Sequence, residues 1–350
     1  MEKTRNYGVD LLRIIFMFMV CILHVLNQGG IVYIYAKGTL QNNVFMLFET
    51  ISYCAVDGYA FISGYMAKNK PRNNGKIVEM WTQAFFYSFV ITIILTVFGL
   101  NKSMGMTDII KLAFPVTFNV FWYFTAYFIL FLAIPFINKF IFDIDENVAK
   151  KAFVIIVVLF SVLNILTDPF QLQDGCSITW IVLMYILGAL ARRIKLFENK
   201  TSLTLIIMLL ICNIVPWVEV MLGGFGLLIN NISPTVLFSG IILVVLFSRI
   251  KVKGNIISKI SPLVFGVYLF QINPIIWEEY IKNAFLFVAN RNIFVGVVNM
   301  LLLASIIFIS GLIVEFIRSK ISNLMKIPSL SKQTVEEIER FIISHSSFLK

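Results

Sequence analysis

The residue in this 350-residue chain best suited to moving a proton near neutral pH is His24, one of only two histidines; the other is His345. It closes a spaced string, Asp10-Leu-Leu-Arg13, ten further residues, then His24. On a helix, eleven steps from Arg13 to His24 make three turns plus about 20°, so the two side chains share a face roughly 16 Å apart along the axis. Asp10 and Arg13 form an i,i+3 pair on the same stripe. A second acid, Asp57, lies in the next apolar run. A carboxylate beside an imidazole holds its tautomer and raises its basicity, the base–orienter pairing used to activate nucleophiles. Plainer roles stay open: Arg13 reaching to headgroup phosphates, and His24 or Asp57 bonded to a neighbouring helix.

These residues sit in elements set by composition. Apolar residues make up 59% of the chain and charged residues 14%, against nearer half and a quarter in soluble globular proteins. That excludes a soluble enzyme, a disordered regulator and a disulfide scaffold. Ten apolar runs are long enough to read as spans: 11–34, 44–67, 80–100, 119–138, 152–168, 178–191, 202–218, 234–250, 261–281 and 293–317. Continuous runs without ten-residue alternation predict helices and not a barrel. The expected fold class is therefore all-α: a polytopic membrane protein of about ten helices over residues 1–317, with 318–350 as an amphipathic or loosely ordered cytoplasmic tail. With both termini inside, 24 of the 29 Lys and Arg residues fall on the cytoplasmic side. The net charge of +10 thus reads as topogenic and predicts no nucleic-acid partner. The first run is too long for a cleaved signal and reads as a retained anchor. Cys21, Cys54, Cys176 and Cys212 are too scattered for a metal site or a disulfide framework; no metal and no permanently bound cofactor are expected.

The strings Asp10-Leu-Leu-Arg13-x10-His24 and Asp57…Phe61-Ile-Ser63-Gly64-Tyr65 resemble those of the bacterial membrane acyltransferase family 3. Phe121-Trp122-Tyr123-Phe124-Thr125-Ala126-Tyr127, followed by Ala133-Ile134-Pro135, is similar to that family's Trp-Tyr-rich helix. Ser261-Pro262-Leu263-Val264-Phe265-Gly266-Val267-Tyr268-Leu269-Phe270-Gln271 is similar to its late FGxYLxH element. The resemblance implies transfer of an acyl group, usually acetyl, from cytoplasmic acetyl-CoA or another acyl-CoA to a hydroxyl of a cell-surface carbohydrate, in a bacterial plasma membrane. By this likeness His24 is the base or acyl relay, Arg13 faces the donor, and Trp122 and Tyr127 line the acceptor side. Where many relatives carry a second histidine this chain has Gln271. An amide does not transfer protons near pH 7, so a two-histidine mechanism is excluded, leaving Gln271 and Asn273 to bond a substrate or hold His24.

Such chemistry needs a cationic donor site, a base and help for a developing oxyanion. The loop Lys68-Asn-Lys70-Pro-Arg72-Asn-Asn-Gly75-Lys76 carries four cations able to meet CoA phosphates, with Arg72 and Lys76 the expected contacts beside Asp10 and Ser63. The same cations satisfy the positive-inside rule with no ligand, as do Arg192 and Arg193. Ser63-Gly64 equally suits close helix packing. Trp122, Tyr123, Tyr127 and Glu219 are expected on the acceptor's outer approach, where aromatic faces stack on sugars but also form the interfacial belt. The competing reading is a glycan carrier or flippase without chemistry. It predicts paired Gly/Pro helix breaks in two halves, and Gly223-Gly224-Phe225-Gly226 has no matching partner.

Overall fold

The computed structural model describes residues 5–69, 73–100, 105–290 and 292–345, and these are all-helical with connecting turns. Each of the ten apolar runs contains helix. Six helices among the described residues are long and apolar enough to cross a membrane. α1 spans Tyr7–Leu23 and runs on through a π turn, His24–Gln28, to a short helix, Ile31–Ile34. α2 spans Leu40–Tyr65. α3 comprises Gly75–Phe85, a π turn at Phe86–Val90 and Ile91–Val97. α4 is Trp122–Asp143, α5 Glu146–Phe160, α6 Ile178–Arg193, α7 Ser202–Met221 and α8 Pro234–Arg249. α9 is Val264–Gln271, α10 Ile293–Leu324 and α11 Ile327–His345.

The sequence count of ten exceeds six for physical reasons. α5, α6 and α8 have 15, 16 and 16 residues, and at 1.5 Å per residue each falls short of a bilayer core of about 30 Å. The run 261–281 is broken: α9 stops at Gln271, and Asn273 with Pro274 opens a new three-residue helix before a second π turn, Trp277–Ile281. The tail is helical as far as it is described. α10 continues past residue 317 to Leu324, and α11 is a formed helix lying against the start of α3, where Asn74 Nδ2 donates to Glu339 Oε1 at 2.5 Å.

α1 and α2 are the two most enclosed spans. Each begins with a side-chain cap, Asn6 for α1 and Thr39 for α2, which satisfies amide groups that have no intrahelical acceptor. They run antiparallel. Asn27 meets Glu49 near one end, the Phe16 and Tyr59 rings meet near the middle, and Tyr59 donates its hydroxyl proton to the Arg13 carbonyl. α6 then packs on α2 through glycines. A Cβ on Gly64 would stand 1.8 Å from the Tyr185 carbonyl oxygen, and one on Gly188 would stand 2.1 Å from that of Phe61. In lipid, where apolar burial gives little drive between helices, such close backbone approach supplies the packing that holds them. α10 is largely lipid-facing and is tied inward by Glu315. This carboxylate is 2% exposed and accepts from Tyr87 (2.9 Å), Gln83 (3.1 Å) and Arg318 (2.7 and 2.8 Å).

Candidate active site

The first turns of α1 form one wall of a cavity of about 600 Å³ at the membrane face that carries the N-terminus. Asp10 lies at its base and pairs with Arg13 NH1 and Arg5 Nε, both at 2.5 Å. Ser261 adds a 3.4 Å hydrogen bond to the same carboxylate. The i,i+3 pairing expected from spacing is therefore present. Asp10 is 3% exposed, so its two arginine partners compensate a buried charge and are in turn held in fixed directions. Lys68 and Arg192 add to the lining, which among the described residues makes four cations against one carboxylate. Arg192 lies over the Tyr65 ring, 5.3 Å from its centroid. A concave surface with this balance suits a polyanion, and Arg side chains match phosphate oxygens in pairs.

The remaining expected donor contacts are distributed differently. Lys76 is exposed in the first turn of α3 and lies outside the cavity lining. Arg72 lies outside the described residues. Ser63 is two residues before Tyr65; its hydroxyl donates to the Tyr59 carbonyl at 3.0 Å and stands 3.0 Å from the Tyr127 hydroxyl. The structure thus draws Tyr127, expected on the acceptor side, toward the end of α2 that borders the cationic cavity. Tyr123 is buried beside it, with the two rings stacked at 6.4 Å, and its backbone N–H donates to the Tyr268 hydroxyl. Trp122 meets the Tyr123 ring edge-on at 5.4 Å.

His24 opens the π turn in α1. A π turn inserts one extra residue into the helical phase and is enriched at functional sites. The imidazole packs edge-to-face against Trp277, which itself opens the π turn at Trp277–Ile281, with ring centroids 5.1 Å apart. The amide of Gln271 stands beside both His24 and Cys21. The His24 Nδ1 atom and the Gln271 Oε1 atom are each enclosed without a hydrogen-bond partner. Buried polar atoms in this condition are uncommon, and a catalytic role is one explanation for them. Asn273 is differently occupied. Its amide nitrogen donates to the Tyr87 carbonyl and to Thr92, both at 2.8 Å, while its oxygen accepts from the Ile275 and Ile276 amides. Those four bonds brace the π turn of α3 and cap the next helix, leaving the side chain no free polar position.

Asp57 is 1% exposed, and one carboxylate oxygen accepts the indole N–H of Trp180 at 2.9 Å; the other has no partner. No hydrogen bond joins Asp57 to His24. The register explains the separation. The Asn27–Glu49 and Phe16–Tyr59 contacts place α1 residue 18 opposite Asp57, six residues or about 9 Å along the axis from His24. A short plain hairpin between the first two spans would set Asp57 at a depth similar to His24; residues 24–39 instead contain a π turn, a positive-φ Gly30 and a short helix.

Sequence reasoning also passed over Glu49, a carboxylate inside the second span and 4% exposed. It accepts from Asn27 at 3.1 Å, and Asn27 in turn accepts from the Tyr33 hydroxyl at 2.6 Å. Its signal was available: an ionisable residue within a predicted span is costly and invites a functional reading. Glu219, expected on the acceptor approach, accepts from the Leu227 and Leu228 amides and so ties down the glycine-rich loop.

Among the described residues no cluster of His, Cys, Asp and Glu has the makings of a metal site. Neither a curated protein nor a solved structure matches the chain. A family model described as an acyltransferase domain matches residues 6–318, so this membrane chain belongs to the acyltransferase family 3.

Proposed function

We propose that the protein moves an acyl group, usually acetyl, from cytoplasmic acyl-CoA to a hydroxyl of a cell-surface polysaccharide in a bacterial plasma membrane. The observation that carries this reading is the cationic cavity of about 600 Å³ at the foot of α1, with His24 farther along the same helix. The Lys/Arg distribution supports a cytoplasmic position for that foot and for both termini. Arg5, Arg13, Lys68 and Arg192 meet the phosphates of CoA, and Asp10 fixes Arg5 and Arg13. Lys76, in the first turn of α3, adds positive charge on the donor side, and Arg72 is the cation of the preceding sequence that we would test with it. The thioester extends along the buried interior, past Tyr59, Ser63 and Tyr127, toward His24.

The reaction balances with these groups alone. The acceptor oxygen attacks the thioester carbonyl carbon while His24 takes the hydroxyl proton. The carbon–sulfur bond breaks, CoA leaves as thiolate, and the imidazolium returns the proton to sulfur. Gln271 holds the imidazole and offers its amide to the developing oxyanion. Asp57 acts through Trp180 as a positioning residue, and Trp122 and Tyr123 shape the wall on which the reacting groups meet.

Membranes carrying the full chain, supplied with labelled acetyl-CoA, are expected to pass label to carbohydrate with release of free CoA. His24→Ala lowers this by about 10²–10⁴-fold, the usual worth of a positioned acid–base group. Labelling that persists undiminished in that variant removes His24 from the mechanism. Translocation of unmodified glycan with no CoA release replaces the transferase with a carrier.

A further inference from the structure

A second cavity, of about 370 Å³, lies at the opposite ends of α1 and α2, between the 27–37 segment, the first half of α2 and the loop after α7. Two acceptor oxygens belonging to its wall residues are buried without partners: Glu49 Oε2 and Asn42 Oδ1. Glu49 and Asn42 are each 4% exposed. The other oxygen of Glu49 is held by Asn27, and the amide nitrogen of Asn42 donates to the Val32 carbonyl at 3.3 Å. Both side chains are therefore fixed, with one acceptor each left over. An enclosed acceptor without a donor is destabilising, so a ligand that brings donors is favoured here. Tyr53 and Phe225 add aromatic surface to the same wall, and Lys37 is its one cation among the described residues.

This chemistry narrows the ligand. Two spaced acceptors ask for two donors, as neighbouring hydroxyls on a ring provide. Aromatic faces suit the C–H face of that ring. An anion meets the Glu49 carboxylate, and a cation meets Lys37, so a neutral group fits better than either. Asn27 follows His24 by three residues, less than one turn, which puts this cavity at the reacting end of α1. We propose that the cavity bounded by Glu49, Asn42 and Asn27 binds a neutral, hydroxyl-bearing sugar ring, with Glu49 Oε2 and Asn42 Oδ1 accepting its hydroxyl protons. The ring's role as acyl acceptor rests on the transferase reading above; its binding does not. Acceptor recognition then belongs to the 27–53 segment and the loop after α7, and Trp122 and Tyr127 serve the interior path.

The test uses the full chain in nanodiscs with diazirine-bearing methyl glycosides of glucose, galactose and N-acetylglucosamine as probes, and a diazirine alkylammonium as control. Cross-links are mapped by mass spectrometry, and acetyl transfer from labelled acetyl-CoA to the same glycosides is measured in parallel. At least one glycoside is expected to label residues 27–53 or 224–230. Glu49→Gln and Asn42→Leu are expected to cut that labelling about tenfold or more, the loss of a hydrogen bond at a charged or enclosed acceptor. Phe225 is 93% exposed, so Phe225→Ala tests the aromatic wall without disturbing the fold, and it is expected to lower labelling about threefold. Labelling by no glycoside, labelling indifferent to all three variants, or preferential labelling by the ammonium probe each overturns the proposal. Glycoside labelling at the cavity with no acetyl transfer supports the site and removes the transferase reading. Acetyl transfer with an unchanged acceptor KM in Glu49→Gln does the reverse.

Discussion

Asp57 and Trp180 form a buried contact that rests on a single hydrogen bond. Trp180 is fully buried and Asp57 nearly so. Trp180→Phe keeps most of the ring volume and removes the one donor to the carboxylate among the described residues. It is expected to destabilise the protein by about 1–3 kcal/mol, seen as a lower midpoint of thermal unfolding in detergent. Arg13 offers a complementary test. Its guanidinium faces the cationic cavity while tethered to Asp10. Arg13→Lys keeps the charge and loses the planar fork, so the KM for acetyl-CoA should rise about tenfold with kcat little changed, read from initial rates of CoA release. An equal fall in kcat at unchanged KM would place Arg13 at the reacting atoms instead. At this scale the sequence was informative where partners are close in number. The Asp10–Arg13 pair follows from three-residue spacing on a helix. The Asp57–Trp180 bond spans 123 residues, and no local pattern encodes which distant indole will reach a given carboxylate.

Between elements, the α2–α6 contact depends on two glycines that admit backbone against backbone. Gly64→Ala and Gly188→Ala each force a methyl group into a carbonyl oxygen. Because backbone atoms cannot swing aside as a flexible side chain can, each substitution should cost about 1–3 kcal/mol or more. Thermal melting of the purified variants would show this, and unaltered midpoints would mean that the helices part readily. The close-packing reading of Ser63-Gly64 rests on the same geometry. Helical identity was legible for all ten apolar runs, since continuous hydrophobicity in lipid leaves few alternatives. Their lengths and breaks were not. Hydropathy is blind to the π turns at His24, Phe86 and Trp277, which keep apolar composition while changing phase, and to the stop at Asn273, which depends on a side chain bonding four groups at once.

Across the whole molecule, two cavities lie at opposite ends of the α1–α2 pair, and α11 braces the loop region next to the first of them. Lys332 packs on Gly75, and Glu339 accepts from Asn74. Removing residues 325–350 should leave the membrane part inserted and raise the KM for acetyl-CoA several-fold by freeing the segment that precedes α3, measurable by the same CoA-release assay. A truncated chain with unaltered kinetics would make α11 a passive appendage. The outer cavity was the least legible part of the site, because its wall joins residues 27–53 to residues 220–230 and only the folded chain brings them together. The π turn that begins at His24 has a further consequence. It sets an angular offset of about 100° between the two halves of the first helix, the rotation of one residue. Deleting Leu26, an apolar residue inside the turn, would rewind that step. Each chamber would keep its own chemistry, yet they would no longer point at a common spot, and a chain competent to grip both ligands would join neither to the other.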